Sequence, residues 1–245
     1  IFKNQKMAIK KIKIKEIINE THDTKTFRFD KPKGFKFISG QFCTISFTNK
    51  EDKELGSRPF TYSSNPKKDY FDFTIKKMGD FTTKLFAVNV GEKLTMDGPK
   101  GEALNFDEKS MDHIVYICGG SGITPAMSPV RNVTENKLDV GVAIFYGNQT
   151  KKDIIFFNEL NKISRDNKKI HIFHVLSKED FDWNGDIGYI NQPLIEGYID
   201  FIGQKEWFIC GPPAMNKSIL QILKNMGIKD EKIHFEKWEL AGKSG

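Results

Sequence analysis

The sequence predicts an antiparallel β domain followed by a parallel α/β domain, and three observations lead to this prediction. Up to about residue 105, short segments alternate apolar and polar residues between polar turns, which is typical of half-buried antiparallel strands. After Lys109, buried apolar runs alternate with helical stretches, which indicates a parallel sheet covered by helices. The length of 245 residues suits two modest domains. We therefore predict domains at residues 7–108 and 109–245.

The first domain is predicted to begin near Met7, because the six residues before it, IFKNQK, are expected to be an added remnant or the end of a preceding segment. Five segments that follow are predicted strands: KIKIKEII, TKTFRFD, QFCTISFT, YFDFTIK and EKLTMD. The stretch TTKLFAVNV, residues 82–90, is predicted to be a helix. Together these elements predict a small antiparallel barrel or sandwich with one helix.

The second domain contains five apolar runs that are typical of buried strands: HIVYIC, VGVAIFYG, IHIFHVLS, WFICG and KIHFEKW. Three helical stretches separate them: PAMSPVRNVTEN, IIFFNELNKIS and AMNKSILQILKNMG. In IHIFHVLS, the alternation of a strand places His171 and His174 on opposite faces. The five histidines are otherwise scattered, so we expect no metal site.

Composition and charge argue against several classes of protein. The most apolar run, residues 140–146, is far shorter than the ~20 residues of a membrane helix. Cys43, Cys118 and Cys210 lie far apart, which argues against a structural zinc site, an iron-sulfur cluster and a disulfide framework, and favours a reducing compartment, the cytoplasm. The net charge of +6 is spread along the chain, so KKIKIKE is interpreted as a solvated strand face. Recognition of an acidic redox partner is the alternative interpretation.

The turn ICGGSGITPAM gives the clearest signal for a ligand. A buried strand runs into three glycines within four residues, and Thr124 can cap a helix that has Pro125 at its first position. Such a turn points backbone N–H groups and the positive end of a helix at an anion such as a dinucleotide pyrophosphate. Pro125 stands where the GxGxxG pattern has its third glycine, so a purely structural turn is the alternative.

A second turn, in WFICGPPAMNKSI, also follows a buried strand. Ligands of open α/β sheets lie at the carboxyl ends of the strands, so the two turns are expected to face one crevice. From this pattern alone, Cys210 is interpreted as ordinary strand packing.

Seven motifs occur in the order and approximate spacing seen in the ferredoxin-NADP reductase superfamily, which the chain resembles from about Met7 onward. The motifs are GQF, RPFTYSS, GDFTTKL, GPKG, GGSGITP, CGPPAM and HFEKW. The resemblance implies an antiparallel flavin-binding β-barrel followed by a Rossmann-like parallel α/β nucleotide-binding domain. It implies FAD rather than FMN, since the GDFTTKL turn suits a pyrophosphate.

The same resemblance implies roles for residues around the flavin. Arg58 would pair with the flavin phosphate, which suits a guanidinium. Phe60 would lie against the isoalloxazine ring and Thr61 would place a hydroxyl near flavin N5, at positions where the family usually has Tyr and Ser. Trp238 would cover the opposite face of the flavin, with an exposed aromatic on a final strand as the alternative. Further flavin contacts are implied for Thr74, Ile75, Lys76, Gly79 and Thr82, the last of which could instead be a plain N-cap.

At the nicotinamide, the resemblance implies that Thr61, Cys210 and Glu236 line the place where hydride passes to the flavin, acting mostly by positioning. Ser177 followed by Lys178 resembles the version that accepts a 2′-phosphate, which favours NADPH over NADH. A solvated loop without nucleotide contact is the alternative. Further nucleotide contacts are implied for Gly120, Gly122, Thr124, Tyr189, Gly211, Pro212 and Met215.

The sequence therefore predicts a flavin-dependent NAD(P)H oxidoreductase that passes single electrons to a separate acceptor such as ferredoxin, flavodoxin or an iron-sulfur domain. A subunit or domain of a larger redox complex, with little activity alone, is one alternative. A basic β-barrel that binds nucleic acid is another, and it is disfavoured because the aromatic residues fall within the flavin-like motifs.

Overall fold

The computed structural model describes residues 8–49, 51, 53–178 and 181–236, and within them the chain forms two six-stranded sheets. The first sheet is antiparallel throughout, with the order β4-β3-β6-β1-β2-β5. Its strands are β1 Ala8–Thr21, β2 Thr24–Asp30, β3 Phe42–Thr48, β4 Glu54–Thr61, β5 Tyr70–Lys76 and β6 Lys93–Lys100. The predicted antiparallel β fold of the first half is confirmed.

Aromatic side chains fill the interior of this sheet. Phe27 and Phe29 on β2 are each 1% exposed, because every second residue of the strand points inward. Strands β4 and β5 are the two edges of the sheet, and Tyr62, which directly follows β4, forms a bridge with Phe73 of β5 that closes the sheet into a barrel. Tyr62 is fully buried and stacks on Phe37 at 4.2 Å between ring centroids. This packing fixes the end of the RPFTYSS motif on the barrel.

The helix of the first half, α1, spans Gly79–Phe86, so the predicted range of 82–90 was wrong at both ends. The chain leaves the helix early because a turn follows, in which Glu92 accepts a hydrogen bond from the Asn89 N–H at 2.8 Å. Gly91 has a φ of +95°, a conformation that favours glycine. Apolar residues continue after Phe86 with helical spacing, and the prediction therefore extended the helix too far.

The second sheet is parallel throughout, with the order β10-β9-β8-β7-β11-β12. Its strands are β7 His113–Gly119, β8 Gly141–Asn148, β9 Ile170–Leu176, β10 Asp186–Ile187, β11 Glu206–Cys210 and β12 Ile233–His234. The helices are α2 Thr124–Glu135, α3 Phe157–Asp166, α4 Gln192–Tyr198 and α5 Pro213–Asn225. Helices α2 and α3 cover one face and α4 and α5 cover the other, which confirms the predicted parallel α/β fold.

Two elements of this half, β10 and α4, were not predicted. Both lie in polar sequence with little apolar periodicity. The start of α4 is fixed by Asn191, whose side chain accepts a hydrogen bond from the Leu194 N–H at 2.9 Å. No helix within the described residues is long and apolar enough to cross a membrane.

Candidate functional site

The two glycine-containing turns of the second sheet lie against each other. Strands β7 and β11 are neighbours, with Cys118 opposite Cys210, so the turns leave the same edge of the sheet side by side. A Cβ atom on Gly122 would overlap the carbonyl group of Cys210 and lie 2.9 Å from the backbone nitrogen of Gly211. A Cβ atom on Gly211 would lie 3.1 Å from the backbone nitrogen of Gly119. Only glycines allow the two main chains this close approach.

The turn after β7 is already helical before α2 begins. Residues Gly120–Ile123 form a 3₁₀ helix that runs directly into α2. The predicted cap was wrong: the Thr124 hydroxyl donates to the Ser121 carbonyl at 3.0 Å, and Ile123 occupies the N-cap position with helical φ and ψ. In this part of the described structure neither helix start has a side-chain cap. The N–H groups of the turn can therefore bind an anion.

Space around Gly120 supports this interpretation. Its φ is +53°, and a Cβ atom placed on it would meet no atom within 4 Å. Pro212 and Met215 close the other side of the crevice, since a Cβ atom on Gly119 would lie 2.9 Å from Pro212 Cδ and 2.7 Å from the Met215 sulfur. An open main-chain surface beside an uncapped helix fits the pyrophosphate of a dinucleotide.

A second uncapped helix start lies at α1. Met78 is the N-cap residue and has no side-chain cap, Gly79 has a φ of +78°, and a Cβ atom on Gly79 would meet nothing within 4 Å. Arg58 on β4 is exposed, and its guanidinium carbon lies 5.9 Å from the ring centroid of Phe81, in the first turn of α1. A cation beside an uncapped helix start fits a flavin phosphate.

Thr82 is placed differently from a phosphate ligand. Its side chain is buried, and its hydroxyl accepts from the Met78 N–H at 2.6 Å and donates to the Gly79 carbonyl at 3.1 Å. Thr82 thus stabilises the turn at residues 78–79 through two hydrogen bonds of its buried hydroxyl. The N–H groups of the turn remain the groups that can meet a ligand.

The side chains of the three residues predicted on β5 are engaged elsewhere. Thr74 is buried and lies within hydrogen-bond distance of Thr26 (2.7 Å) and Ser63 (2.9 Å), measured between the hydroxyl oxygens. Ile75 belongs to the barrel core, and Lys76 pairs with Asp23 at 3.0 Å. These residues can contact a flavin through their backbone, as the resemblance implies.

Thr61 and Glu236 are both related to Phe42 of β3, Thr61 by strand pairing and Glu236 through Gly101. Thr61 is half-buried at the end of β4 and pairs with Phe42 of β3. A Cβ atom on Gly101 would lie 2.8 Å from the ring of Phe42 and 3.6 Å from Glu236 Oε1. Phe60, also half-buried, packs 6.1 Å from the Phe81 ring, measured between centroids. The predicted lid, Trp238, lies outside the described residues.

Ser177 and Lys178, predicted to select the nucleotide, follow β9, and Tyr189 follows β10, so all three lie at the same edge of the sheet as the glycine turns. The Ser177 N–H donates to the Asn148 carbonyl at 2.9 Å and the Lys178 N–H donates to the Gln149 carbonyl at 3.0 Å. Lys178 is exposed, and Tyr189 is 81% exposed. Their side chains are therefore free to meet a nucleotide laid along this edge.

His174 on β9 was predicted only as part of a buried strand, and its setting was not foreseen. It is 9% exposed, neither ring nitrogen has a hydrogen-bond partner among the described residues, and the rings of Tyr146, Phe157 and Trp183 lie 5.3–6.1 Å away. Burial lowers the pKa of His174 to about 4. Within the described ranges, no group of three or more His, Cys, Asp or Glu side chains could hold a metal ion.

Two protein-family profiles match this chain. Residues 11–104 match the oxidoreductase FAD-binding domain, and residues 116–221 match the oxidoreductase NAD-binding domain. These matches confirm FAD and a nicotinamide dinucleotide as the predicted cofactors.

Among curated relatives, the chain is 33% identical over 230 residues to a glycine betaine monooxygenase reductase subunit of Chromohalobacter salexigens, covering 90% of this chain and 62% of the relative. It is 27% identical over 235 residues to NADH-cytochrome b5 reductase 1 of Dictyostelium discoideum, covering 91% and 80%. The crystal structure of the cytochrome b5 reductase domain of Ulva prolifera nitrate reductase superposes with a TM-score of 0.81 at 24% identity, covering 93% of this chain and 97% of that domain. The chain thus spans less than two thirds of the length of the first relative.

Proposed function

Because the chain belongs to the ferredoxin-NADP reductase superfamily of flavoprotein oxidoreductases, we propose that it passes hydride from NAD(P)H to FAD and then single electrons to a separate acceptor. The observation that carries this proposal is the contact between the turns after β7 and β11, which leaves an open main-chain surface beside an uncapped helix. The start of α1 beside Arg58 offers a second such surface for the flavin. We propose residues 7–108 as the FAD-binding domain and residues 109–245 as the NAD(P)-binding domain.

Bound FAD supplies the conversion between two-electron and one-electron transfer. In our proposal Arg58 and the N–H groups at the start of α1 hold the flavin phosphates, and Phe60 supports the ring. Thr61 directs its hydroxyl at the ring edge. The lid role proposed for Trp238 rests on its position in the sequence.

The chain's part in hydride transfer is proposed to be positioning. Thr61, Cys210 and Glu236 would line the place where the nicotinamide meets the flavin. The main chain of Cys210 lies directly against Gly122 of the turn after β7, which supports this proposal. The turns on either side would hold the pyrophosphate and ribose through Gly120, Gly122, Thr124, Gly211, Pro212 and Met215.

NADPH is the proposed nucleotide, since Lys178 is exposed beside Ser177 and no carboxylate stands at position 177 to repel a 2′-phosphate. The acceptor is proposed to be a protein such as ferredoxin, flavodoxin or an iron-sulfur domain. One relative is named as the reductase subunit of a monooxygenase and another as a cytochrome b5 reductase. Both names support a separate protein as the electron acceptor. The cytoplasm is the proposed location, because all three cysteines are free thiols.

Anaerobic reduction tests the proposed function. The visible spectrum of the purified, FAD-loaded protein is recorded after one equivalent of NADPH, and after one equivalent of NADH in a second sample. Rapid bleaching of the flavin band with either nucleotide is expected, and faster with NADPH. A protein that cannot be loaded with FAD or FMN would contradict the flavin site.

A second candidate is a reductase domain of a longer redox protein with little activity alone. The chain covers only 62% of the glycine betaine monooxygenase reductase subunit, which supports it. A flavin that binds but is not reduced by either nucleotide would favour this candidate.

Replacing Arg58 with alanine is expected to weaken FAD binding about 10- to 100-fold, because a charge-assisted hydrogen bond to phosphate contributes roughly 1.5–3 kcal/mol. Fluorescence titration of the flavin-free protein with FAD measures the change. Lys84→Ala is the matched control, because Lys84 lies in the last turn of the same helix, α1. Equal affinities of the Arg58 variant and the unaltered protein would contradict the role of Arg58.

A further inference from the structure

One face of helix α2 contacts three consecutive residues of the barrel, residues 63–65, at the end of the RPFTYSS motif. The Ser128 hydroxyl donates to the Ser64 carbonyl at 2.7 Å, and Arg131 Nη1 donates to the Ser63 carbonyl at 2.7 Å. Glu135 Oε2 accepts from Asn65 Nδ2 at 2.7 Å. Positions 128, 131 and 135 share one face of a helix, so this face of α2 packs on residues 63–65.

Arg131 makes the most specific of these contacts. Its Nε and Nη2 atoms bind both carboxylate oxygens of Glu159 on α3, at 2.7 and 2.6 Å, and its guanidinium lies over the ring of Phe156. The side chain is only 14% exposed. Burial alone would lower the pKa of Arg131, but the bond to Glu159 raises it overall, so the group stays charged. Because Glu159 holds two nitrogens of the guanidinium, the third nitrogen, Nη1, keeps a fixed position on the Ser63 carbonyl.

Ser128 is fully buried at the same junction. Its hydroxyl oxygen also lies 3.0 Å from Ser39 Oγ, so it joins two loops of the barrel to α2. Other contacts between the two halves are more exposed, such as Lys68 with Glu135 at 3.2 Å. Exposed ion pairs of that kind contribute little to stability. The buried contacts of Ser128 and Arg131 therefore determine how the barrel sits on α2.

These contacts connect the two halves of the site through a short path. Ser63 stands two residues after Thr61, and α2 begins at the end of the Gly120–Ile123 turn. We propose that Arg131 and Ser128 are positioning residues for hydride transfer, which fix the nicotinamide-binding turn relative to the flavin motif. This inference rests on the proposed function. Neither side chain touches the reacting atoms; they act through the backbone of residues 63 and 64.

The test compares Arg131→Met, Arg131→Lys and Ser128→Ala in the FAD-loaded protein. Stopped-flow reduction gives the limiting rate constant and the NADPH dissociation constant separately, and calorimetry gives the NADP⁺ dissociation constant. We expect Arg131→Met to lower the limiting rate about 10- to 100-fold, because a shift of about 1 Å costs that much. The NADP⁺ and FAD dissociation constants should stay within about threefold of those of the unaltered protein, and Arg131→Lys should recover part of the rate.

Glu159→Gln is the matched control. It removes the negative charge but keeps an amide oxygen that can accept from the Arg131 guanidinium, and it leaves the Arg131 donor for the Ser63 carbonyl. Its limiting rate should therefore stay within about threefold of that of the unaltered protein. A loss as large as that of Arg131→Met would show that Arg131 acts only by stabilising α3, and would overturn the proposal. Ser128→Ala, which removes no charge, should lower the limiting rate in the same direction. Rates unchanged in both Ser128→Ala and Arg131→Met would also overturn it.

A scan of the flavin-free protein by calorimetry separates this inference from the proposed function. If neither nucleotide reduces the unaltered protein, the proposed function fails. The effect of Arg131 on the contact between the barrel and α2 can still be measured by thermal unfolding. We then expect one cooperative transition in the unaltered protein and two in Arg131→Met, because the sheets unfold separately once the junction is weakened. One transition with an unchanged midpoint in Arg131→Met would overturn the inference.

Discussion

Replacing Gly122 with alanine is expected to lower the free energy of unfolding by about 3 kcal/mol and NADP⁺ affinity at least about 10-fold. The added Cβ atom would lie 2.5 Å from the carbonyl carbon of Cys210 and closer still to its oxygen. Both are backbone atoms of β11, which pairs with β7, so Cys210 cannot yield without breaking the register of these two strands. The turn must therefore move, and its N–H groups leave the anion. Thermal unfolding and calorimetric titration with NADP⁺ measure the two effects.

Gly120→Ala is the control for this substitution. It lies in the same turn with a φ of +53°, and its Cβ atom would meet nothing within 4 Å. Only the left-handed backbone conformation opposes alanine there, which costs about 1–2 kcal/mol. Equal losses of stability in the Gly120 and Gly122 variants would show that the contact between the turns has no separate effect.

The stability of the protein is expected to fall by up to about 3 kcal/mol as pH drops from 6.5 towards 4, through His174 alone. Burial lowers the pKa of His174 to about 4, whereas an unfolded histidine titrates near 6.5. Between these values the unfolded chain binds a proton that the folded protein excludes, so the free energy of unfolding decreases as pH falls. Above pH 6.5 both states are neutral, and this contribution is fully present.

Urea unfolding at pH 7, 6 and 5 measures this dependence as a difference between variants. His174→Phe removes the titration while keeping a ring among Tyr146, Phe157 and Trp183, so its stability should depend less steeply on pH. His171→Gln is the control, because His171 lies on the same strand and is exposed. Parallel pH profiles for the His174 variant and the unaltered protein would rule out this role for burial.

Much of the fold follows from patterns that operate within a few residues. TKTFRFD and YFDFTIK coincide with β2 and β5, because apolar residues at every second position of each strand fill the barrel core. The error at α1 has the opposite cause: apolar residues continue after Phe86, but a turn stabilised by Glu92 ends the helix. Thr124 was mistaken for a cap because the glycines before it already adopt a helical turn, which no local pattern indicates.

The candidate site was predictable where a motif carries its own geometry. The glycines after β7 and β11 were assigned to a ligand crevice from the sequence, and the structure brings them into contact. Arg131 gave no signal, since its partners Ser63 and Glu159 lie 68 and 28 positions away and meet it only when α2 docks on the barrel. For His174 the sequence indicated the strand but could not show that its ring nitrogens lack partners among the described residues.

The contact between the turns after β7 and β11 also bears on how such a protein changes its substrate. The floor of the crevice is main chain, with Gly122 and Gly211 too close for any side chain to intervene. A change of nucleotide preference therefore cannot arise by exchanging a side chain between Gly122 and Gly211. In the proposed binding mode it can arise at the exposed residues Lys178 and Tyr189, where substitutions alter the surface without disturbing the packing below. A lineage could exchange one nicotinamide nucleotide for another through surface mutations while the floor stays constant.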